Sequence, residues 1–130
     1  MPNSMKVNDP EIVAEIKALY PKYEAALVNN DADTLTSMFW ASPHAMRFGA
    51  TENLYGNQEI EAFRRSRPRA NLARNIQRLD VVTFGHDCAS VTLEFERVID
   101  GETILGRQSQ VWVRLPEGWR IVSAHVSILP

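Results

Sequence analysis

Apolar residues recur at helical spacing near the start of the chain, at Ile12, Ile16, Leu19, Tyr20, Tyr23, Ala26 and Leu27. A stripe of that period predicts one amphipathic helix ending near Asn29. Asn8 or Asp9 can offer a side-chain oxygen to its first free N–H groups, and Pro10 suits the first turn, where its missing donor is not needed. Pro21 lies inside the pattern and is expected to bend the helix, because proline removes a backbone donor and crowds the preceding turn. Asn29 to Asp31 reads as a turn, with Asp31 or Asp33 capping a short helix from Thr34 to Phe39. Ser42-Pro43 then ends helical structure.

Beyond this point the period shortens to two. Met46 to Phe48 and Asn53 to Tyr55 predict two short strands around a Gly49–Glu52 turn. Gly56-Asn57 opens a third helix, from Gln58 to about Arg65, with Ile60 and Phe63 on its buried side. Asn75 to Phe84, Ala89 to Ile99, Thr103 to Leu115 and Trp119 to Leu129 are long, alternating and rich in β-branched residues. Gly85-His86-Asp87, Asp100-Gly101 and Pro116-Glu117-Gly118 separate them as hairpin turns. The expected fold is α+β, one domain over residues 1–130, with three N-terminal helices packed on one face of a curved antiparallel sheet.

Composition narrows the function classes. With 130 residues, 45% hydrophobic and 23% charged, the chain can build a real core. A net charge of −2 lends no support to a general nucleic-acid or membrane-surface role. Cys88 is the single cysteine, so no internal disulfide can form, which suits a reducing compartment. The opening MPNSMKVNDPEIV lacks the apolar run of a signal peptide, and no segment has the roughly 18 consecutive apolar residues of a membrane span. A cytoplasmic domain is the expectation.

The order of elements resembles the cone-shaped fold of the nuclear-transport-factor-2-like and SnoaL-like proteins. The closing strand Gly118-Trp119-Arg120-Ile121-Val122-Ser123-Ala124-His125 is similar to the last strand of that superfamily. More specifically, Lys22-Tyr23-Glu24, the stretch HAMRFGATENLYG from His44 to Gly56, and Gly106-Arg107-Gln108-Ser109-Gln110 resemble the AtzH-like (oxalurate-catabolism HpxZ-like) family, over roughly Pro10 to Leu129. That resemblance implies a homodimer whose cone holds a small pocket, in a family encoded beside amidases that degrade ureido and carboxylated urea compounds. It also implies a decarboxylating amide hydrolysis of such acids, with Tyr23 and Arg47 as the active-site pair.

The residues themselves leave choices open. In a strand, Met46 and Phe48 point to one face and Arg47 to the other. Arg47 is therefore either an anion anchor in the cone, gripping a carboxylate with its planar fork, or a surface or interface arginine paired with a carboxylate such as Glu52. Tyr23 shares the inward stripe of the first helix, where it is either a core tyrosine or a hydroxyl available for proton transfer; a nearby arginine would favour its phenolate. Ser109 and Gln110 face opposite sides of their strand, and Gln110, on the side of Trp112, is the candidate substrate-binding amide for a ureido group. His125 alternates with Trp119, Ile121 and Ser127 and reads as structural. No histidine or cysteine pair has metal-ligand spacing, and no phosphate-cradling or nucleophile motif is present, so neither a metal nor a cofactor is expected. The basic run Phe63 to Arg69 reads as solvated cations at a helix C-terminus, or as a funnel for an anionic substrate. The function expected is a cofactor-free decarboxylating amidohydrolase on a small anionic ureido acid. Two alternatives stand beside it: a non-catalytic dimer that binds a metabolite or supports an amidase, and a proton transferase with Glu94 or Glu96 as its base.

Overall fold

Helix α1 (Pro10–Val28) begins where its cap allows, with the Asp9 carboxylate accepting from the Glu11 amide. The computed structural model describes residues 5–68 and 72–130, and α1 runs through Pro21 without ending there. Pro21 and Lys17, four residues before it, are both exposed, so the carbonyl that proline leaves unpaired can turn to water. Asp31 caps α2 (Ala32–Met38) by accepting from both the amide and the hydroxyl of Thr34. Two three-residue strands follow, β1 (Met46–Phe48) and β2 (Asn53–Tyr55), and then α3 (Asn57–Ser66). The sheet is completed by β3 (Asn75–Phe84), β4 (Cys88–Ile99), β5 (Glu102–Leu115) and β6 (Gly118–Ile128).

These strands form one six-stranded sheet in the order β2-β1-β6-β5-β4-β3. Every pairing is antiparallel except β1 with β6, which is parallel. The exception has a local cause: the chain leaving α2 already runs alongside β6, with Phe39 bridging Ile121 and the Trp40 amide donating to its carbonyl. The helices cover the inner face of the sheet, where Ile16, Tyr20 and Leu35 pack against Val91, Leu93, Trp112 and Ile121. No described helix is long and apolar enough to cross a membrane.

A β-bulge decides which residues of β6 look inward. Trp112 pairs with Ile121 and Val111 with Ser123, which leaves Val122 as the extra residue. Before it Trp119 and Ile121 point into the core; after it Ala124 does, and Ser123 and His125 are exposed. A one-residue shift exchanges the two faces, so His125 does not share the side of Trp119 that simple alternation assigns it. It lies on the outer face, opposite Ser109 and edge-on to Phe48.

Candidate functional site

The inner face is not completely filled. Where β4, β5 and β6 pass the end of α1, a cavity of about 250 Å³ remains, lined by Leu27 of α1, the Gly49–Glu52 turn and, between α3 and β3, by Arg67, Leu72 and Arg74. Leu72, Phe95, Ile99, Ile104, Val126 and Ile128 make its apolar walls. Among the described residues its cations are Arg47, Arg67, Arg74 and Arg97, and its carboxylate is Glu52. Such a wall favours a small anion, since opposite charges interact strongly where water is scarce.

Arg47 owes its place to strand alternation. It is 4% exposed on the cavity side, whereas Met46 is 46% exposed on the other face. Its Nη1 donates to Glu52 Oε1 at 3.1 Å, and its Nε has no hydrogen-bond partner among the described residues. The Glu52 carboxylate fits there because residue 49 is glycine: a Cβ on Gly49 would stand 1.8 Å from Glu52 Oε1. Burial would push Glu52 up, but the Thr51 hydroxyl and the Arg47 charge outweigh it and hold the carboxyl below its usual range. The Phe63 ring carries two guanidinium groups, those of Arg47 and Arg67, each 5.5 Å from its centroid.

Tyr23 is 2% exposed and does not belong to the cavity wall. Its oxygen accepts from Nη2 of Arg64 at 3.0 Å, not from Arg47. Burial pushes the Tyr23 hydroxyl up, yet the charges of Arg64 and Arg47 and the Arg64 hydrogen bond prevail and lower it below the ordinary phenol. Arg64 corrects the sequence reading of a solvated basic run: it is 1% exposed and lies over the Phe39 ring. Arg65 alone fits that reading, exposed and bridging Asp33 and Glu61, while Arg67 lines the cavity and Arg69 lies outside the described residues. Arg64 could have been found from helix periodicity, because it stands four residues after the buried Ile60.

One turn before Tyr23 a second network closes. Arg74 grips Glu24 with two hydrogen bonds of 2.8 Å and donates to Gln108 Oε1 at 2.8 Å. Gln108 Nε2 donates to the Tyr20 hydroxyl, which itself donates to Glu24 at 2.7 Å. The Arg74 guanidinium also stacks 4.4 Å over Phe95. Phe95 lies flat on β5 because residue 106 is glycine, where a Cβ would meet its Cζ at 2.1 Å. Gly106→Ala is therefore expected to cost about 1–3 kcal/mol by overpacking, read as a lower denaturation midpoint. The sequence reading gives no role to Arg74 or Gln108, and places Tyr20 only in the inward stripe of the first helix. Glu24 was the available signal, a carboxylate beside the inward stripe that requires a cation from elsewhere.

Gln110 and Trp112 share the inner face, as alternation requires, and Gln110 Oε1 accepts from Trp112 Nε1 at 2.9 Å. Gln110 Nε2 is buried without a partner among the described residues, and Gln110 does not line the cavity. Ser109 and His125 both face outward, in a shallow hollow with Arg107. Glu94 pairs with Arg107 on β5 and is exposed, and Glu96 is absent from the cavity wall; neither is placed to act there as a base. Among the described residues no cluster of three His, Cys, Asp or Glu side chains could hold a metal ion.

The family model of the AtzH-like proteins matches residues 5–130. The chain belongs to the AtzH-like family. This AtzH-like chain is similar to a solved protein of unknown function from the DUF3225 family of Pectobacterium atrosepticum, with 45% identity over 98% of this chain and 100% of that one, at a TM-score of 0.92. A cystatin-like fold protein from Burkholderia xenovorans shares 42% identity over 98% and 100% of the two chains, at a TM-score of 0.88. A nuclear-transport-factor-2-like protein of unknown function from Pseudomonas putida covers 95% of this chain and 89% of its own at a TM-score of 0.80; with 15% identity it speaks for the fold alone. No curated protein matches the sequence. The α+β fold of this AtzH-like chain is thus similar to that of nuclear-transport-factor-2-like proteins.

Proposed function

We propose that the AtzH-like cavity is the active site of a cofactor-free decarboxylating amidohydrolase for a small carboxylated urea or related ureido acid. One observation carries this reading: a buried arginine, Arg47, stands on a cation-rich wall with its guanidinium Nε unmatched among the described residues. A substrate carboxylate would occupy that nitrogen and take up the grip now given to Glu52. Amide hydrolysis places a water oxygen on the carbonyl carbon and a proton on the departing nitrogen, and Tyr23 is the residue proposed to handle that proton. A carbamate nitrogen so released loses its carboxylate as carbon dioxide, a step that asks only for electrostatic positioning. A homodimer and a working association with an amidase belong to the same proposal. The apolar side chains exposed on the outer face, Met46, Tyr55, Leu105 and Val111, accord with a dimer.

Purified protein is expected to release ammonia and carbon dioxide from a carboxylated urea without added metal or cofactor, followed by coupled ammonia assay and by carbon dioxide trapping. Saturable binding with no turnover would replace this reading by that of a metabolite-binding protein.

A further inference from the structure

We propose that Arg64 is a positioning residue that holds Tyr23 as a phenolate, so that the site rests with a base already formed. A guanidinium keeps its charge at any working pH, and burying it without an anion is strongly unfavourable. Arg64 is 1% exposed, and no ion pair to it is found among the described residues. Its Nε and Nη1 have no hydrogen-bond partner, and its Nη2 donates to the Tyr23 oxygen alone. Ionising Tyr23 supplies the missing anion.

The hydrogen bonds at the two tyrosines run in opposite directions. Tyr23 accepts from Arg64, and among the described residues nothing accepts a proton from Tyr23. Tyr20, three residues earlier on the same helix, does the opposite and donates to Glu24. Two buried tyrosines with rings 5.8 Å apart are thus set to hold different protonation states. The charged groups around Tyr23 agree: Arg64 from α3, Arg47 from β1 and Arg74 from the segment before β3 all favour the anion. The nearby carboxylates are engaged elsewhere, Glu24 by Arg74 and Tyr20, and Glu52 by Arg47 and Thr51. Burial pushes Tyr20 up, aided by Glu24, whereas for Tyr23 the arginines reverse the effect of burial.

The consequence rests on the hydrolytic reading above. Tyr23 stands behind the cavity wall, so the step requires the wall to admit the substrate to it. The resting phenolate then takes the proton of the attacking water as the water oxygen adds to the carbonyl carbon. The resulting phenol returns that proton to the nitrogen as the C–N bond breaks, and the pair is restored. Pairing Arg64 in this way balances its charge behind the wall, while the cations on the wall, Arg47 among them, stay available to the substrate.

The test needs no substrate. The difference in ultraviolet absorption between wild type and Tyr23→Phe, recorded across pH, should show the phenolate band of one tyrosine at neutral pH. The band should disappear only on acidification. Arg64→Lys, which keeps a positive charge, should retain the band but shift its onset upward. Arg64→Gln should delay the onset to the ordinary phenol value of about 10 or beyond. A wild-type protein with no Tyr23-dependent band below that value would overturn the proposal, as would an Arg64→Gln protein with an unchanged onset. If Arg64→Gln does not fold, wild type, Tyr23→Phe and Arg64→Lys decide. A band without turnover of carboxylated ureas keeps the ion pair and removes the hydrolase; turnover without a band does the reverse.

Discussion

Arg47→Lys is expected to raise KM for the carboxylated substrate while changing kcat much less, measured by steady-state kinetics against the wild type. Lysine keeps the charge but loses the planar fork, so the carboxylate keeps one contact and loses its second. A hydrogen bond to a charged group is worth about 1.5–3 kcal/mol. At about 1.4 kcal/mol per factor of ten, the increase in KM is roughly 10- to 100-fold. Arg47→Met should go further and remove saturable binding altogether. It would also strand the half-buried Glu52 carboxylate beside Thr51, and so lower stability. Adding Glu52→Gln should restore that stability and leave the binding defect in place. Wild-type kinetics in Arg47→Lys would remove Arg47 from the site.

Much of the fold was legible in the sequence because its elements are long and their periods consistent. The capped first helix, the Asp31 cap and the strand from Asn75 to Phe84 lie where patterning puts them. Arg47 was legible only in part: three residues of alternation oppose it to Met46 and Phe48 but do not say which face looks into a cavity. What escaped has two physical sources. A bulge at Val122 reverses every later side chain of β6, and no residue type announces it, so alternation leaves the face of His125 open. The other source is long-range pairing. Arg64 and Tyr23 lie 41 residues apart, and Arg74 and Glu24 lie 50 apart. Periodicity states which way a side chain points but not what it meets. A run of arginines therefore reads as solvent-facing until the core that accepts one of them is built.

Glu24→Ala is expected to produce the largest loss of stability among single substitutions in the site. The Arg74 side chain is 5% exposed and Glu24 17%, so removing the carboxylate leaves a buried guanidinium with only Gln108 and Tyr20 as polar neighbours. Breaking a buried pair from one side costs about 3–5 kcal/mol, a large share of the roughly 5–15 kcal/mol that holds such a domain folded. Chemical denaturation should report it as a lower midpoint with an unchanged slope. The pH dependence follows from the same pair. Burial alone would raise the Glu24 carboxyl, but the two Arg74 hydrogen bonds and the Arg74 charge prevail and hold it below its ordinary range. A carboxyl lowered by folding contributes fully above its unfolded value of about 4.3, and the contribution is lost as pH falls through the lower folded value. Wild type should lose stability across that acidic window, and Glu24→Gln, which has no proton to gain there, should lose less. Neutralising Glu24 has a second effect, because Arg74 also lines the cavity. A released Arg74 adds an unpaired cation to the wall, so Glu24→Gln should bind small carboxylic acids more tightly even as it unfolds more easily. Calorimetric titration of an acid into Glu24→Gln and wild type checks this; equal affinities would make Arg74 a strut for Phe95 and Tyr20 with no share in the anion site.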